Sequence, residues 1–197
     1  MDTWNKVIVN GDIATTISNI SANESLFRIS LLSNVIMTLA WVILSLYLYW
    51  IFKALDKMTS LIMVVLVLLG SSITLFSTLT KTAAIELITT NNTESVDYLI
   101  YAILKLSNSG TMFAYIFFGL WLLPLGILIY KSDISPKYVK IPLSILVLIA
   151  GIGYLLDYLI FQFNLTIDIN VTQFTFYGEV FLLLLLLIKG IKVQTKE

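Results

Sequence analysis

Two long apolar runs joined by a short lysine-bearing hinge constrain the fold of this chain more than any other feature. They occupy residues 117–157, FFGLWLLPLGILIYKSDISPKYVKIPLSILVLIAGIGYLLD, and the second run reaches Asp157 while the sequence is still hydrophobic. A helix needs about 20 apolar residues to cross a bilayer, a length that the second run has and that the first run reaches when it is counted from Gly110. The lysines and the proline between them fit a short connection at the membrane surface. This stretch therefore predicts a membrane hairpin.

The composition agrees with a membrane protein and excludes several kinds of chemistry. The chain is 58% hydrophobic and 12% charged, with a mean hydropathy of +0.94, whereas soluble domains are roughly 45–50% apolar. It has no cysteine and no histidine, so disulfides, imidazole catalysis and the usual ligands of zinc, copper and haem are excluded. We predict no cofactor and no metal. A net charge of zero gives no reason to expect a nucleic-acid partner.

Five stretches are candidate spans, namely 29–52, 58–79, 110–130, 141–163 and 171–188. Residues 1–28 are polar and mixed, and we expect them to form an external segment. Residues 80–109 contain apolar fragments that are too short to cross, so we expect an external, partly helical segment made of helical extensions or an interfacial helix. The prediction is an all-α integral membrane protein, a bundle of about five transmembrane helices in a single membrane domain.

The placement of lysines predicts the orientation. With the N-terminus outside, eight lysines fall on the inner side, against three lysines and one arginine outside. The inner set is Lys53, Lys57, Lys131, Lys137, Lys140, Lys189, Lys192 and Lys196, and the outer set is Lys6, Arg28, Lys81 and Lys105. By the positive-inside rule this predicts a multi-pass protein of the cell membrane with a cytoplasmic C-terminus. Arg28 is the sole arginine, and abundant Ile, Asn, Thr and Lys hint at an AT-rich bacterial genome.

Several motifs occur in a characteristic order: GD-x-A and ESLFR between residues 11 and 28, then FGLWLLPLGILIYKS, AGIGYLLD and the terminal GE-x-x-LLLLLLIKG. In these the chain resembles the bacterial membrane-protein family catalogued as domain of unknown function 4386. The resemblance covers most of the chain and implies a polytopic helical protein of unestablished function, without catalytic residues to transfer. Family members usually carry an additional helix before the GD segment, and we expect this chain to lack it. Six spans would place both termini inside; loss of the first span leaves the orientation of the remaining spans unchanged, which agrees with the lysine count.

Polar groups within the spans define a candidate pocket. Glu179 lies ten residues before Lys189, about 15 Å into the membrane, and Asp157 lies about 25 Å from the inner face. Lys81 is the predicted cationic partner of Asp157. Hydroxyl groups at helical spacing precede Lys81, and Trp121 lies at the depth of Glu179. The candidate pocket residues are Glu179, Asp157, Lys81, Thr74, Ser77, Thr78 and Trp121.

Three kinds of function fit this pattern. Intramembrane charges usually serve function, so we expect a protein that binds or moves a small molecule or ion through a polar cavity in the outer half of the membrane. Small and hydroxylated residues also pack helices together, so the alternative is a structural or partner-binding subunit that assembles with another membrane protein or as a homo-oligomer. A membrane enzyme that uses carboxylates is the weaker alternative, because two acids at different depths make no reaction. The lipid bilayer is the one partner common to all three.

Overall fold

The computed structural model describes residues 12–90, 96–133 and 136–165. Within them the chain forms five α-helices: α1 (Ile13–Ala22), α2 (Glu24–Phe52), α3 (Lys57–Thr90), α4 (Asp97–Lys131) and α5 (Lys137–Gln162). Helices α2 to α5 are long and apolar enough to cross a membrane. The protein is therefore an all-α, multi-pass integral membrane protein. The predicted fifth span at 171–188 and the predicted external residues 1–11 lie outside the described residues.

Helices α3 and α4 are longer than the spans predicted within them. They contain 34 and 35 residues, which at 1.5 Å per residue is about 50 Å, compared with the roughly 30 Å of a bilayer's hydrocarbon core. Residues 80–90 continue α3, and 97–109 begin α4. Neither stretch contains glycine or proline, so nothing in the backbone ends the helix where the hydropathy falls.

Aspartates begin two of the helices. Asp12 caps α1 by accepting hydrogen bonds from the Thr15 backbone N–H at 2.9 Å and the Thr15 hydroxyl at 2.6 Å. Asp56 does the same before α3, accepting from the Thr59 N–H at 3.1 Å and its hydroxyl at 2.8 Å. These contacts satisfy N–H groups that have no partner within the helix. These hydrogen bonds therefore determine where α1 begins and how the connection 53–56 enters α3.

Lys131, the last residue of α4, lies 3.4 Å from the Asp56 carboxylate. The backbone N–H of Thr59, then its hydroxyl, and then Lys131 lower the pKa of Asp56 below its usual value. Beyond α4, Lys140 of α5 donates to the Ser132 carbonyl at 2.6 Å. Lys131 and Lys140, which the sequence predicts as charges at the membrane surface, thus also contact the connection before α3 and the hinge after α4, respectively.

The helices divide into two compact units. Unit 1 comprises Met1–Leu39 and Ile73–Thr111, and unit 2 comprises Ala40–Ser72 and Met112–Glu197. In unit 1, α1 packs with parts of α2, α3 and α4 around an apolar core. The core residues are Ile20, Phe27, Leu31, Ala84, Ile85, Ile88, Ile100 and Leu104. The α3 extension beyond residue 79 therefore exists because it buries apolar side chains against its own unit.

The core of unit 2 is larger and involves α2, α3, α4 and α5. It contains Leu48, Phe52, Met63, Val64, Val67, Trp121, Leu122, Leu125, Leu128, Ile129, Leu143, Val147 and Ala150. The opposite side of α5 is apolar but exposed, at positions that repeat every three or four residues. That stripe is Ile145, Ile149, Ile152, Leu156 and Leu159. An exposed apolar stripe is what a membrane-spanning helix presents to lipid.

Small residues let α4 and α5 approach closely in unit 2. A Cβ added at Gly119 would lie 2.7 Å from the Gly151 carbonyl oxygen, and one added at Gly151 would lie 2.7 Å from the Gly119 carbonyl oxygen. One heptad further along, the Ser144 hydroxyl donates to the Gly126 carbonyl at 2.8 Å. Gly119, Gly126, Ser144 and Gly151 thus form an antiparallel seam between the two helices.

Candidate functional site

The hydroxyl stripe on α3 lies on the buried side of that helix in unit 1. Thr74, Ser77, Thr78 and Lys81 are each at most 8% exposed. Residues three, four and seven positions apart share one face of a helix, so the spacing alone places them together. These four of the seven predicted pocket residues are therefore brought together by one helix face.

Most of the polar groups near this stripe are used in helix contacts. The Thr78 hydroxyl donates to the Thr74 carbonyl at 2.9 Å, within α3. The Ser107 hydroxyl of α4 donates to the Ser77 carbonyl at 2.6 Å. Hydroxyls that bond the carbonyl one turn earlier are common in membrane helices and need no ligand. These contacts agree with the alternative that Thr78 and the Ser77 carbonyl serve to hold and pack the helices rather than to bind a ligand.

The Ser77 hydroxyl differs from its neighbours. Its oxygen is buried and has no hydrogen-bond partner among the described residues. It faces Gly110 of α4 so closely that a Cβ at residue 110 would overlap it. Gly110 therefore provides the space for this hydroxyl.

Lys81 is the charged residue of the stripe. It is 8% exposed, although a lysine near the end of a span normally extends its amine to water. Burial of a cation in this way carries a desolvation cost and usually marks a polar environment or a functional site. Lys81 therefore remains the strongest functional candidate in unit 1.

Asp157 is the buried acid of unit 2. It lies in the last turns of α5 and is 8% exposed. The Tyr115 ring packs edge-on against Tyr154 of α5, with ring centroids 5.3 Å apart and an interplanar angle of 88°. Tyr154 precedes Asp157 by three residues on α5, so the two residues share one face of that helix.

Trp121 packs in the apolar core of unit 2. It is 3% exposed, and its ring meets Trp41 edge-on at 5.7 Å. Buried aromatic pairs of this geometry add packing energy beyond their buried area. These contacts describe Trp121 as a core residue, and its predicted place in a polar pocket stays a prediction.

Two parts of the predicted site stay predictions. Glu179 lies outside the described residues. Lys81 and Asp157 belong to different units, so their pairing remains an expectation from sequence. Across 12–90, 96–133 and 136–165, no group of three acidic side chains is arranged to hold a metal ion.

Comparison with known proteins assigns the chain to a family. The family model described as "Domain of unknown function (DUF4386)" matches residues 4–190 of the 197. The chain belongs to this family. The resemblance inferred from the motif order is thereby confirmed, and the DUF4386 description assigns no activity.

One relative has been found among curated proteins, an "Uncharacterized protein" of Archaeoglobus fulgidus. It is 41% identical over 80 residues, which cover 41% of this chain and 46% of the relative. The chain thus matches about half the length of that relative, which comes from an archaeon. No solved structure matches the chain. The chain is therefore an integral membrane protein of a family whose description assigns no function, as the sequence predicts.

Proposed function

We propose that this protein binds or moves a small molecule or ion within its membrane-spanning helices, and that Asp157 is a charge that the solute meets. The observation that carries this proposal is the burial of Asp157, which is 8% exposed near the end of a helix that has no other charged residue after Lys140. An aspartate in this setting costs stability unless something compensates for it. Lys81 is a second such charge, buried to the same extent in unit 1.

The depth of Asp157 supports access from water. It lies 20 residues after Lys137, the first residue of α5, which is about 30 Å along the helix and equals the thickness of the hydrocarbon core. A side chain at that depth could turn to the membrane surface, yet Asp157 is enclosed by protein. A carboxylate that is buried in protein so close to the membrane surface is typical of a binding site rather than of a solvated helix end.

The proposed orientation follows from the lysine distribution. We place the protein in the cell membrane with the hinge residues 131–137 in the cytoplasm, and the C-terminus on the same side. Asp157 then faces the outer half of the membrane. Labelling of a single cysteine introduced at Asp133, whose side chain is 83% exposed, tests this orientation, because a cytoplasmic hinge protects it from impermeant reagents in intact cells.

Substitution of Asp157 by asparagine distinguishes a functional charge from a structural one. A charge kept for a solute reduces stability, so Asp157→Asn is expected to leave the melting temperature of the purified protein unchanged or higher. A charge that completes an internal ion pair or hydrogen-bond network leaves a buried partner unpaired when it is removed, which lowers stability by about 3–5 kcal/mol. Thermal unfolding in detergent measures the difference.

Asp133→Asn is the matched control, because it removes the same charge from an exposed position in the same unit. Its melting temperature should equal that of the wild type. Strong destabilisation by Asp157→Asn, with Asp133→Asn neutral, would contradict the proposal and assign Asp157 to the architecture.

The second candidate is a structural or partner-binding membrane subunit, either with another protein or as a homo-oligomer. The close seam of Gly119 and Gly151 favours it, because tightly joined helices make a rigid framework without a cavity along their contact. Under this function Asp157→Asn is destabilising, and the purified protein elutes as an oligomer or with a bound partner. The two measurements separate the candidates.

A further inference from the structure

Basic side chains gather at one end of unit 2, which we call the lysine end. It consists of the connection before α3 with the first residue of that helix, and of the hinge after α4 with the first turn of α5. The ion pair of Lys131 with Asp56, at 3.4 Å, joins these two segments. The charged residues of the lysine end are Lys53, Lys57, Lys131, Lys137, Lys140, Asp56 and Asp133. Its described residues therefore carry a net charge of +3.

Two of the five lysines are compensated by aspartates of the same end. Lys131 pairs with Asp56, and the Lys140 amine lies 3.7 Å from the Asp133 carboxylate. Lys140 also donates to the Ser132 carbonyl, so its amine is held against the protein. These two lysines account for both acids of the lysine end.

The other three lysines have no acid to compensate them. Lys53, Lys57 and Lys137 are exposed, and none of them forms an ion pair with an acid in 12–90, 96–133 or 136–165. Lys53 lies over the Trp50 ring, 5.2 Å from its centroid. Three exposed amines at one end of a membrane unit thus present positive charge to whatever borders that end.

The surface beside these amines matches the parts of a phospholipid. Exposed aromatic rings lie within three residues of a lysine, as membrane-interface residues do; they are Trp50, Tyr130 and Tyr138, at 54%, 58% and 79% exposure. Exposed apolar side chains follow on α3 and α5, namely Met58, Leu61, Ile62, Ile141 and Ile145. Amines, rings and apolar side chains therefore follow one another as phosphate, glycerol and acyl chains do in a lipid. A soluble anion has no use for the apolar part.

Unit 1 lacks this excess of positive charge. Its described charged residues are Arg28, Lys81, Lys105, Asp12, Glu24, Glu86 and Asp97, three cations against four acids. Arg28 pairs with Glu24 at 2.7 Å, and Lys81 is buried. Lys105 is exposed and lies over the Tyr101 ring at 4.9 Å, which makes it the counterpart of Lys53 in unit 1. The positive surface is thus a local property of the lysine end.

We propose that the lysine end binds anionic glycerophospholipids in preference to zwitterionic ones. The amines of Lys53, Lys57 and Lys137 contact the lipid phosphates, and the acyl chains lie along the exposed apolar residues of α3 and α5. With the orientation proposed above, these lipids belong to the cytoplasmic leaflet, whose anionic headgroups attract basic segments next to membrane helices. The binding does not depend on a solute at Asp157, so the two proposals fail independently.

The test compares two spin-labelled lipids with identical acyl chains, phosphatidylglycerol and phosphatidylcholine, in phosphatidylcholine bilayers that contain the full-length chain. The fraction of each label that the protein immobilises gives their relative association constant. A lysine near an anionic surface contributes about fivefold to association, so a preference of about fivefold or more for phosphatidylglycerol is expected at low ionic strength. It should decrease at about 1 M salt, where the Debye length is about 3 Å.

Variants assign the preference to the lysine end. Replacing Lys53, Lys57 and Lys137 together by glutamine should reduce it below about twofold, whereas arginine at the same three positions should retain it. Lys53→Gln alone should lower it by about two- to fivefold. Lys105→Gln is the matched control, because it also removes an exposed amine that lies over a ring, and should leave the preference unchanged. Asp133→Asn should raise the preference, because it releases the charge of Lys140.

Each other outcome overturns the inference. Equal immobilisation of the two lipids by the wild type shows that the headgroup charge is not recognised. A preference that survives the triple glutamine variant, or that Lys105→Gln lowers as much as Lys53→Gln does, assigns it to charges elsewhere. Loss of the preference in the triple arginine variant contradicts a role of charge. Loss on addition of inorganic phosphate at constant ionic strength indicates a site for the free anion instead of the lipid.

Discussion

Replacing Gly119 by alanine tests whether the α4–α5 seam is a close backbone contact. The new Cβ would lie 2.7 Å from the Gly151 carbonyl oxygen and 2.9 Å from the Leu155 Cγ. Ordinary contacts of a Cβ begin near 3.4 Å, so the two helices must separate locally by 3.4 − 2.7 = 0.7 Å. A backbone carbonyl within a helix cannot rotate away as a side chain does, so the separation affects the whole crossing.

The expected loss has two parts. Overpacking of a well-packed site costs about 1–3 kcal/mol. The separation also stretches the 2.8 Å hydrogen bond from Ser144 to the Gly126 carbonyl toward 3.5 Å, and interhelical hydrogen bonds in membranes contribute about 0.6 kcal/mol on average. Alanine favours the helix by up to about 1 kcal/mol relative to glycine, which offsets part of the loss. A destabilisation of about 2 kcal/mol results.

Reversible unfolding in a mixed-micelle SDS titration measures this free energy. Gly70→Ala is the matched control within unit 2, because its Cβ meets the Phe117 Cβ at 3.2 Å and the Phe118 ring at 3.4 Å. The shortest of these contacts is 0.5 Å longer than the 2.7 Å contact at Gly119 and involves a side-chain atom instead of a backbone carbonyl, so Gly70→Ala should destabilise the protein less than Gly119→Ala does. Wild-type stability in Gly119→Ala, or equal losses in both variants, would refute the close-contact argument.

Two further predictions concern unit 1 and the hinge. Gly110→Ala should destabilise the protein, because the new Cβ overlaps the Ser77 hydroxyl. Ser77→Ala in the same chain should restore stability, since the Ser77 Cβ lies 3.6 Å from the new Cβ, in ordinary contact. SDS titration of both single variants and the double variant measures this coupling, and additive effects would contradict it. Asp56 has a lowered pKa in the folded state, so its contribution to stability is complete above its unfolded value near 3.8 and is lost as the pH falls through the lower folded value. Melting temperatures measured from pH 6 downward should fall less steeply below about pH 4 in Asp56→Asn than in the wild type, and identical slopes would contradict the assignment.

The sequence predicted the spanning helices well because their apolar runs are long. The predicted ends differ from the observed ends of α3 and α4, because hydropathy indicates where a helix leaves the lipid and not where its backbone hydrogen bonds end. The α3 extension continues past Leu79 because Ala84, Ile85 and Ile88 bury against unit 1. Such packing depends on α1 and α4, whose positions no local pattern specifies.

Residues on a single helix face were also predictable, whereas contacts between helices were not. Spacing alone put Thr74, Ser77, Thr78 and Lys81 on one face, and all are buried. The residues of α4 that contact Ser77, namely Ser107 and Gly110, are about 30 residues away along the chain. The one sequence feature that indicates this contact is that both are small residues, three positions apart on α4. Trp121 was assigned to a pocket by depth, yet depth does not specify rotation about the helix axis, and its ring contacts Trp41.

The glycine seam also explains why two pairs of aromatic rings meet between α4 and α5. Gly119 meets Gly151, and Gly126 meets Ser144, so residue numbers in contact across the antiparallel pair sum to 270. The same register places position 116 opposite Tyr154 and position 112 opposite Tyr158. The rings that pack there are Tyr115 and Phe113, one residue away in each case. The glycines thus set the register that brings the rings of both pairs together, so a substitution that separates the seam should disturb these ring contacts as well as stability.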